Sequence, residues 1–366
     1  MEQNHLYYAL ALSLVPGIGP VNAKNLISYC GSPEKVFKTP QKKLLHIPGI
    51  GNATAAAIAN HDIFWRVDEE IQFIEKKKIK CLTFWDSTYP QRLKNCQDAP
   101  LVLFYSGNAE LNTEHCVGIV GTRNATDYGK KICEELIEDL QQYNILMISG
   151  LAYGIDIAAH KACVKKNVPT VGVVAHGLDR IYPAVHKETA KKMMENGGIL
   201  TEFMSNALPD KQNFPKRNRI VAGMVDALVV VETAEDGGAT ITAAIANTYN
   251  RDVFAFPGDV KSKYSKGCHF LIKSEKARLI DSADDLAGFM EWKIKEVKPK
   301  QQRELFIDFS KEEKMIYDAL KETGELAIDE LSSKVSLTPS ILAGNLLNLE
   351  FQNVIQALPG KRYRLK

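Results

Sequence analysis

HCVGIVGTRNATDYGKKICEEL, residues 115–136, decides how the chain folds. Residues 117–120 form a short β-branched apolar run that stops at Gly121, as a strand buried on both faces does. Gly121-Thr122-Arg123 then reads as a tight loop. Asp127 is the expected N-cap of a helix, and residues 130–140 carry helical apolar spacing. Strand, loop and helix in this order open a doubly wound parallel sheet. Ligands of such sheets lie beyond the carboxyl ends of the strands, where helix N-termini present free N–H groups. This loop places an arginine and a hydroxyl there. A guanidinium offers a planar fork of donors that matches phosphate oxygens. The loop lacks the GxGxxG pattern, which turns the reading away from a dinucleotide cofactor and towards the phosphate of a nucleic acid.

At 366 residues the chain has room for two or three domains. Its net charge of +2 is too small for a bulk field, so any affinity for polyanions must come from local patches. The seven cysteines (Cys30, Cys81, Cys96, Cys116, Cys133, Cys163 and Cys268) are scattered and form no C-x-x-C pair. That usage fits a reducing compartment and neither a disulfide framework nor a cysteine zinc site. The first residues have no basic n-region, and no apolar run reaches the length of a membrane span, so a cytoplasmic protein is expected.

Working outward to the N-terminus, two related pieces appear: LVPGIGPVNAKNLISYC (14–30) and HIPGIGNATAAAIANH (46–61). Each runs Pro-Gly-Ile-Gly into a helix, an internal repeat that resembles the helix–hairpin–helix motif. Glycines at 17, 19, 49 and 51 permit tight hairpins whose backbone N–H groups could meet a phosphate. With only Lys24, Lys42 and Lys43 nearby, DNA contact and a pure packing role stand equally open. Residues 64–78 read as a helix, and 79–85 and 101–105 as strands that extend the sheet.

Downstream, strands are expected at 145–148, 170–174, 198–201, 227–231 and 253–256, separated by helices. This alternation predicts a parallel sheet covered on both faces. The loops after the strands would share one rim. The most basic segment on it is LPDKQNFPKRNRIVAGM (208–224), with Lys211, Phe214, Lys216, Arg217, Asn218 and Arg219. Cations interleaved with an aromatic ring suit single-stranded nucleic acid, since cations neutralise phosphates while a ring stacks an unpaired base. The plainer alternative is a solvated helix start with Phe214 in the core. Arg123 on the same rim favours binding.

The ordered set IVGTR, SGLAYGIDIAAH, GLDRIYP, FPKRNRI, EDGGATITAA and FPGD resembles the DNA-processing protein A (DprA/Smf) family over about residues 85–280. The resemblance implies an extended Rossmann-like α/β fold and binding of single-stranded DNA without sequence preference. It also implies homodimerisation and the loading of RecA recombinase onto incoming DNA in natural transformation. The DNA-binding residues it implies are Gly121, Thr122, Arg123, Ser149, Gly150, Lys211, Phe214, Arg217 and Asn218. Some positions depart from the family pattern. Thr122 replaces the usual serine, Tyr153 stands where a basic residue is common, and Gly237-Gly238 replaces Ser-Gly. SEKA (274–277) replaces Gly-Ala in the stretch where the family places part of its dimer contact.

The competing reading is a nucleotide-processing enzyme, because GGATITAA is similar to the loop of phosphoribohydrolase-type Rossmann relatives. Here the loop's proline is Asp236 and its glutamate is missing. Asp156 and His160, four apart on a helix, could pair as base and orienter, although a helix-dipole role for Asp156 and packing for His160 are favoured. Asp226, Glu232 and Asp259 lack metal-ligand spacing. His176 and His186 read as structural. No catalytic residue, metal or cofactor is assigned, and the expected protein is a non-enzymatic binder.

KIKEVKPKQQRE (293–304) reads as a linker. Beyond it, three helices and a hairpin around Pro359-Gly360 match a winged helix. Lys361, Arg362, Arg364 and Lys366 could touch a duplex backbone. The expected recognition helix is nearly free of positive charge, which favours a protein-contact or weak DNA role. The expected domains are therefore a helix–hairpin–helix (SAM-like) all-α domain at 1–64, the Rossmann-like domain at 65–292, the linker at 293–304 and the winged helix at 305–366. A third possibility, a transcription factor acting through this tail, would require specific duplex binding by residues 305–366.

Overall fold

Alternating strands and helices after residue 80 build a nine-stranded sheet. A computed structural model describes residues 2–294, 309–352 and 354–365. Its strands are β1 (Lys80–Thr83), β2 (Val102–Gly107), β3 (His115–Val120), β4 (Ile145–Ser149), β5 (Thr170–Val173), β6 (Gly197–Thr201), β7 (Ala227–Val230), β8 (Asp252–Ala255) and β9 (Arg278–Leu279). Their order is β1-β2-β6-β5-β4-β3-β7-β8-β9. From β3 the chain winds outward through β4, β5 and β6, then crosses back to β7 and winds the other way. All neighbours are parallel except β1–β2 and β2–β6, which are antiparallel. The sequence therefore named the two extending strands but not their direction. It also gave no sign of β9, whose two residues are both exposed and form no apolar run.

Strand residues alternate between two cores. Val117, Ile119, Ile145 and Met147 face the helices Asp127–Leu140, Ile155–Lys166 and Ala283–Phe289, with Ile132, Leu136, Ala159 and Leu286 opposite. Val120, Leu146, Ile148, Leu228 and Val230 face the other way, against Ile220, Ala243 and Leu271 of the helices Asn213–Gly223, Gly238–Thr248 and Lys266–Lys273. Burial on both faces explains why these strands read as continuous apolar runs.

The helix after β3 begins at Asp127, but Thr126 caps it. Its hydroxyl accepts a hydrogen bond from the Gly129 N–H at 3.2 Å. The expected cap, Asp127, instead sits exposed in the first turn and pairs with Lys130 at 2.9 Å. Both residue types can cap. Thr126 takes the role because Glu232 holds it in place, a long-range contact that local sequence does not show.

The N-terminal helices Pro20–Cys30 and Asn52–Ala59 follow the two repeated hairpins, whose Gly17 and Gly49 take φ of +79° and +81°. Each hairpin abuts the helix start of the other repeat: a side chain on Gly17 would point at Thr54 and one on Gly49 at Asn22. Leu10, Leu26, Leu44 and Ile58 share a core with Val102 and Phe104 of β2. Lys24 is drawn inward to the Cys96 and Gln97 carbonyls and lies 5.0 Å from the Phe84 ring. It is thus occupied within the chain, whereas Lys42 and Lys43 are exposed.

The chain divides into two compact units, Met1–Lys295 and Glu296–Lys366. In the second, helices Lys311–Thr323, Ile328–Val335 and Pro339–Phe351 pack around Ile316, Leu320, Leu331 and Leu346. Its sheet is three-stranded, β10 (Glu325–Ala327), β11 (Ile355–Leu358) and β12 (Arg362–Leu365), ordered β10-β12-β11. The hairpin at Pro359-Gly360 thus has a third strand beside it. Helix Pro339–Phe351 carries no Lys or Arg and exposes Ile341, Leu347 and Phe351. Of the expected linker, residues 295–304 lie outside the described residues. Among the described residues, no helix is long and apolar enough to cross a membrane.

His160 is fully buried, with Nδ1 2.8 Å from the Thr170 hydroxyl, and burial pushes its pKa down to about 3 from 6.5. The unfolded chain therefore binds a proton there that the folded chain refuses. Stability from this group is complete above about pH 6.5 and drains away as the pH falls towards 3. His160→Gln is expected to remove a slope of order 1 kcal/mol per pH unit from acid unfolding curves in that window.

Candidate nucleic-acid interface

The sheet reverses direction between β3 and β7, and a cavity of about 460 Å³ opens there beyond the strand ends. One wall is the loop after β3, with Gly121, Thr122 and Arg123. The opposite wall is Thr233 and Ala234 after β7, together with Gly237 and Gly238 at the start of the next helix. The basic segment supplies Lys211, Phe214, Arg217 and Asn218, and Gly150 closes the floor. Eight of the nine residues expected from sequence thus meet at one place, the crevice such sheets use for ligands.

Glu232 stitches the walls together. This buried residue lies two positions beyond β7, and its carbonyl accepts the Thr122 N–H at 2.6 Å. Its carboxylate accepts the Thr126 N–H at 2.9 Å and the Thr126 hydroxyl at 2.6 Å. The Thr122 carbonyl in turn accepts from Ile155 N–H at 3.1 Å, tying the same loop to the helix after β4. Gly121 and Gly129 are glycines because a Cβ at either would strike Glu232 or Ile155. Asp226, Glu232 and Asp259 are spent on such bonds rather than gathered. Asp226 pairs with Arg92 at 2.6 Å, and Asp259 accepts the Lys261 N–H at 2.7 Å. Among the described residues, no group of three His, Cys, Asp or Glu could hold a metal ion.

The floor is a buried arginine with a buried carboxylate, Asp156, nearby. Arg217 donates from Nη1 to the Gly150 carbonyl and to the Val173 carbonyl, the latter at 2.7 Å. Burial lowers its pKa, and Asp156 alongside opposes that shift. Burial pushes the Asp156 carboxyl up, with Arg217 pulling the other way. Arg217 is therefore committed to the protein's own carbonyls and shapes the floor. The Ser149 side chain also turns inward, and its Oγ donates to the Ile119 carbonyl at 2.5 Å. It is fully buried and does not line the cavity. Sequence placed both residues in the right loop and helix but could not tell an inward side chain from an outward one.

The mouth is different. Arg123 is exposed, and its guanidinium lies 5.1 Å from the centre of the Phe214 ring. Phe214 is half-buried and belongs to none of the hydrophobic cores, contrary to the part of the plainer reading that puts it in the core. Among the described residues, Arg123, Lys211 and Asn218 make no ion pair or hydrogen bond through their side chains. Arg219, by contrast, is tied to Glu202 and the Asp98 carbonyl. Thr122 accepts from the Asn124 N–H at 3.2 Å, which leaves its own proton free to donate. The cavity thus offers cations, backbone N–H groups and a ring face. His160, bonded to Thr170 behind the sheet, is not in its lining. Lining residues that sequence reasoning did not assign to the site include Thr233, Ala234 and Ile241. Ile241 lies within the quoted EDGGATITAA motif, but its place in the cavity follows from the crossover to β7.

A family model described as DNA recombination-mediator protein A matches residues 80–291, more than half the chain. The chain belongs to this family, DprA/Smf. Its N-terminal part matches a SAM-like helix–hairpin–helix tandem at 9–61, and its C-terminal part a DprA winged helix domain at 298–361. A putative DNA processing protein DprA of Mycobacterium tuberculosis is 32% identical over 329 residues, 85% of this chain and 84% of that protein. Protein Smf of Synechocystis is 34% identical over 276 residues, 74% of this chain and 69% of the relative. The X-ray structure of DprA from Streptococcus pneumoniae superposes with a TM-score of 0.68 at 30% identity, covering 78% of this chain and 98% of that one. DprA from Helicobacter pylori, whose structure concerns its single-stranded DNA binding mode, gives 0.54 at 25% identity and covers 59% and 99%.

Removing the Glu232 carboxylate strands the part-buried Thr126 N–H and hydroxyl. Glu232→Ala is expected to cost about 1–3 kcal/mol of stability in denaturant titrations, while Glu232→Gln, which keeps one acceptor, costs less.

Proposed function

We propose that this DprA/Smf protein binds single-stranded DNA, without regard to base sequence, in the cavity between the loops after β3 and β7. The observation that carries this reading is the Arg123–Phe214 pair at the cavity mouth, a cation with no carboxylate partner set on a half-exposed ring. Lys211 stands beside it as a second cation. Together these provide phosphate neutralisation and base stacking and no pattern for reading base edges. The single-stranded DNA binding mode described for the Helicobacter pylori relative supports it. Gly121, Thr122 and Gly150 supply close backbone approach, Asn218 a free amide, and Ser149 and Arg217 hold the floor.

Family membership supports a wider role. The protein protects incoming DNA and loads RecA recombinase onto it in natural transformation, as a homodimer in the cytoplasm. We read it as a non-enzymatic adaptor organised as the four segments 1–64, 65–292, 293–304 and 305–366. A phosphoribohydrolase-type reaction would need an exposed base, and Asp156 is buried and accepts the Ala152 N–H while His160 is turned to Thr170. The winged-helix unit, with its uncharged and partly apolar third helix, fits a protein contact better than a duplex.

Arg123→Ala and Lys211→Ala are each expected to weaken binding of oligonucleotides of any sequence by roughly tenfold or more. Each should flatten the dependence of log affinity on log salt by about 0.7. A double variant that binds oligothymidylate as well as wild type would overturn the assignment. Incubation with nucleoside monophosphates is expected to release no free base. Release abolished by Asp156→Ala would establish the enzyme instead.

A further inference from the structure

Beside the main cavity, sharing Arg123, Phe214 and Arg217 with it, lies a crevice of about 50 Å³. Tyr153 and Tyr182 stand at its edge. They are 48% and 46% exposed, and among the described residues neither phenol has a hydrogen-bond partner. Half-exposed rings with idle hydroxyls are not core residues. They also come from separate loops, after β4 and β5, which brings them to the same rim as Phe214.

Each tyrosine has a buried histidine behind it. His176 donates from Nδ1 to the Gly177 carbonyl at 2.8 Å and accepts the Tyr182 N–H on Nε2 at 3.1 Å. His186 donates from Nδ1 to the Leu151 carbonyl at 3.0 Å, and its ring meets Tyr153 edge-on at 5.0 Å. Leu151 is held at φ +55°, an uncommon conformation for a branched side chain. Loops fixed this tightly present their rings in set positions rather than leaving them to collapse onto the surface.

The rings are also suitably spaced. The centres of Tyr182 and Phe214 are 6.5 Å apart, inclined by 48°. A base held between two rings needs about 7 Å, twice the rise of roughly 3.4 Å per nucleotide. A rotation of Tyr182 through that 48° would bring the faces parallel. Arg123 is the exposed cation shared by the two spaces, so a strand gripped there by its phosphate can send one base over Phe214 and the next towards Tyr182 and Tyr153.

We propose that Tyr153 and Tyr182, with Phe214, form a second subsite that takes consecutive nucleobases of the bound strand by face stacking. This rests on the reading of the main cavity as a single-stranded DNA site. Stacking neutralises no phosphate, so the subsite has a signature distinct from that of Arg123 and Lys211.

The test is fluorescence anisotropy with oligothymidylates of increasing length, for wild type, Tyr153→Ala, Tyr182→Ala, the double alanine variant and the two Tyr→Phe variants. The alanine variants are expected to lose roughly 5- to 100-fold in affinity for long strands and to keep the wild-type salt slope. The Phe variants should retain wild-type affinity. A strand with abasic sites in place of its bases should bind wild type and the double alanine variant equally. The subsite is overturned if the double variant binds long oligothymidylate like wild type while Phe214→Ala does not. It is overturned equally if both Phe variants fail like the alanines, or if the loss comes with a flattened salt slope. Failure of the wild type itself to bind any oligothymidylate would instead sink the underlying reading of the cavity.

Discussion

A buried carboxylate holds this binding cleft open. Glu232 lies just beyond β7 and accepts three hydrogen bonds from the loop after β3, one through its carbonyl and two through its side chain. In the open crevice of a doubly wound sheet, nothing in the strand pairing itself fixes the loops beyond the strand ends. Glu232 supplies that fixation from across the switch point, and Thr126, which it grips, caps the following helix. With the loop pinned from beneath, Arg123 has no carboxylate to fold back upon and leans on Phe214 instead.

The distribution of positive charge follows the same logic. A chain with a net charge of only +2 cannot attract a polyanion by its overall field. The arginines of the basic segment are turned inward: Arg217 to the Gly150 and Val173 carbonyls, Arg219 to Glu202. These contacts fix loop positions. Arg123 and Lys211, left outside, are the cations at the mouth. Arginine inside and arginine outside thus do different work around one crevice.

Much of this was readable from the amino acids, and the failures have a common cause. The strand ending at Gly121 and the helix after it were evident from a β-branched run followed by 3.6-residue spacing. The rim shared by Arg123, Phe214 and Lys211 followed from the rule that ligands sit beyond parallel strand ends. The orientation of single side chains did not follow. Ser149 and Arg217 carry the residue types of a phosphate site yet point into the protein, because their partners are carbonyls of distant strands. Thr126 displaced Asp127 as the cap for the same reason. Lys24, in a hairpin motif associated with DNA, is captured by carbonyls some seventy residues away. The direction of β2 and the existence of β9 depended on pairing alone.

The most direct measurement is a crystal structure of the protein with a short oligothymidylate. The strand is expected to cross the crevice between the loops after β3 and β7, with phosphate oxygens within hydrogen-bond reach of Arg123 and Lys211 and a base over the Phe214 ring. A strand bound on another face, with Arg123 folded into an internal ion pair, would contradict the account.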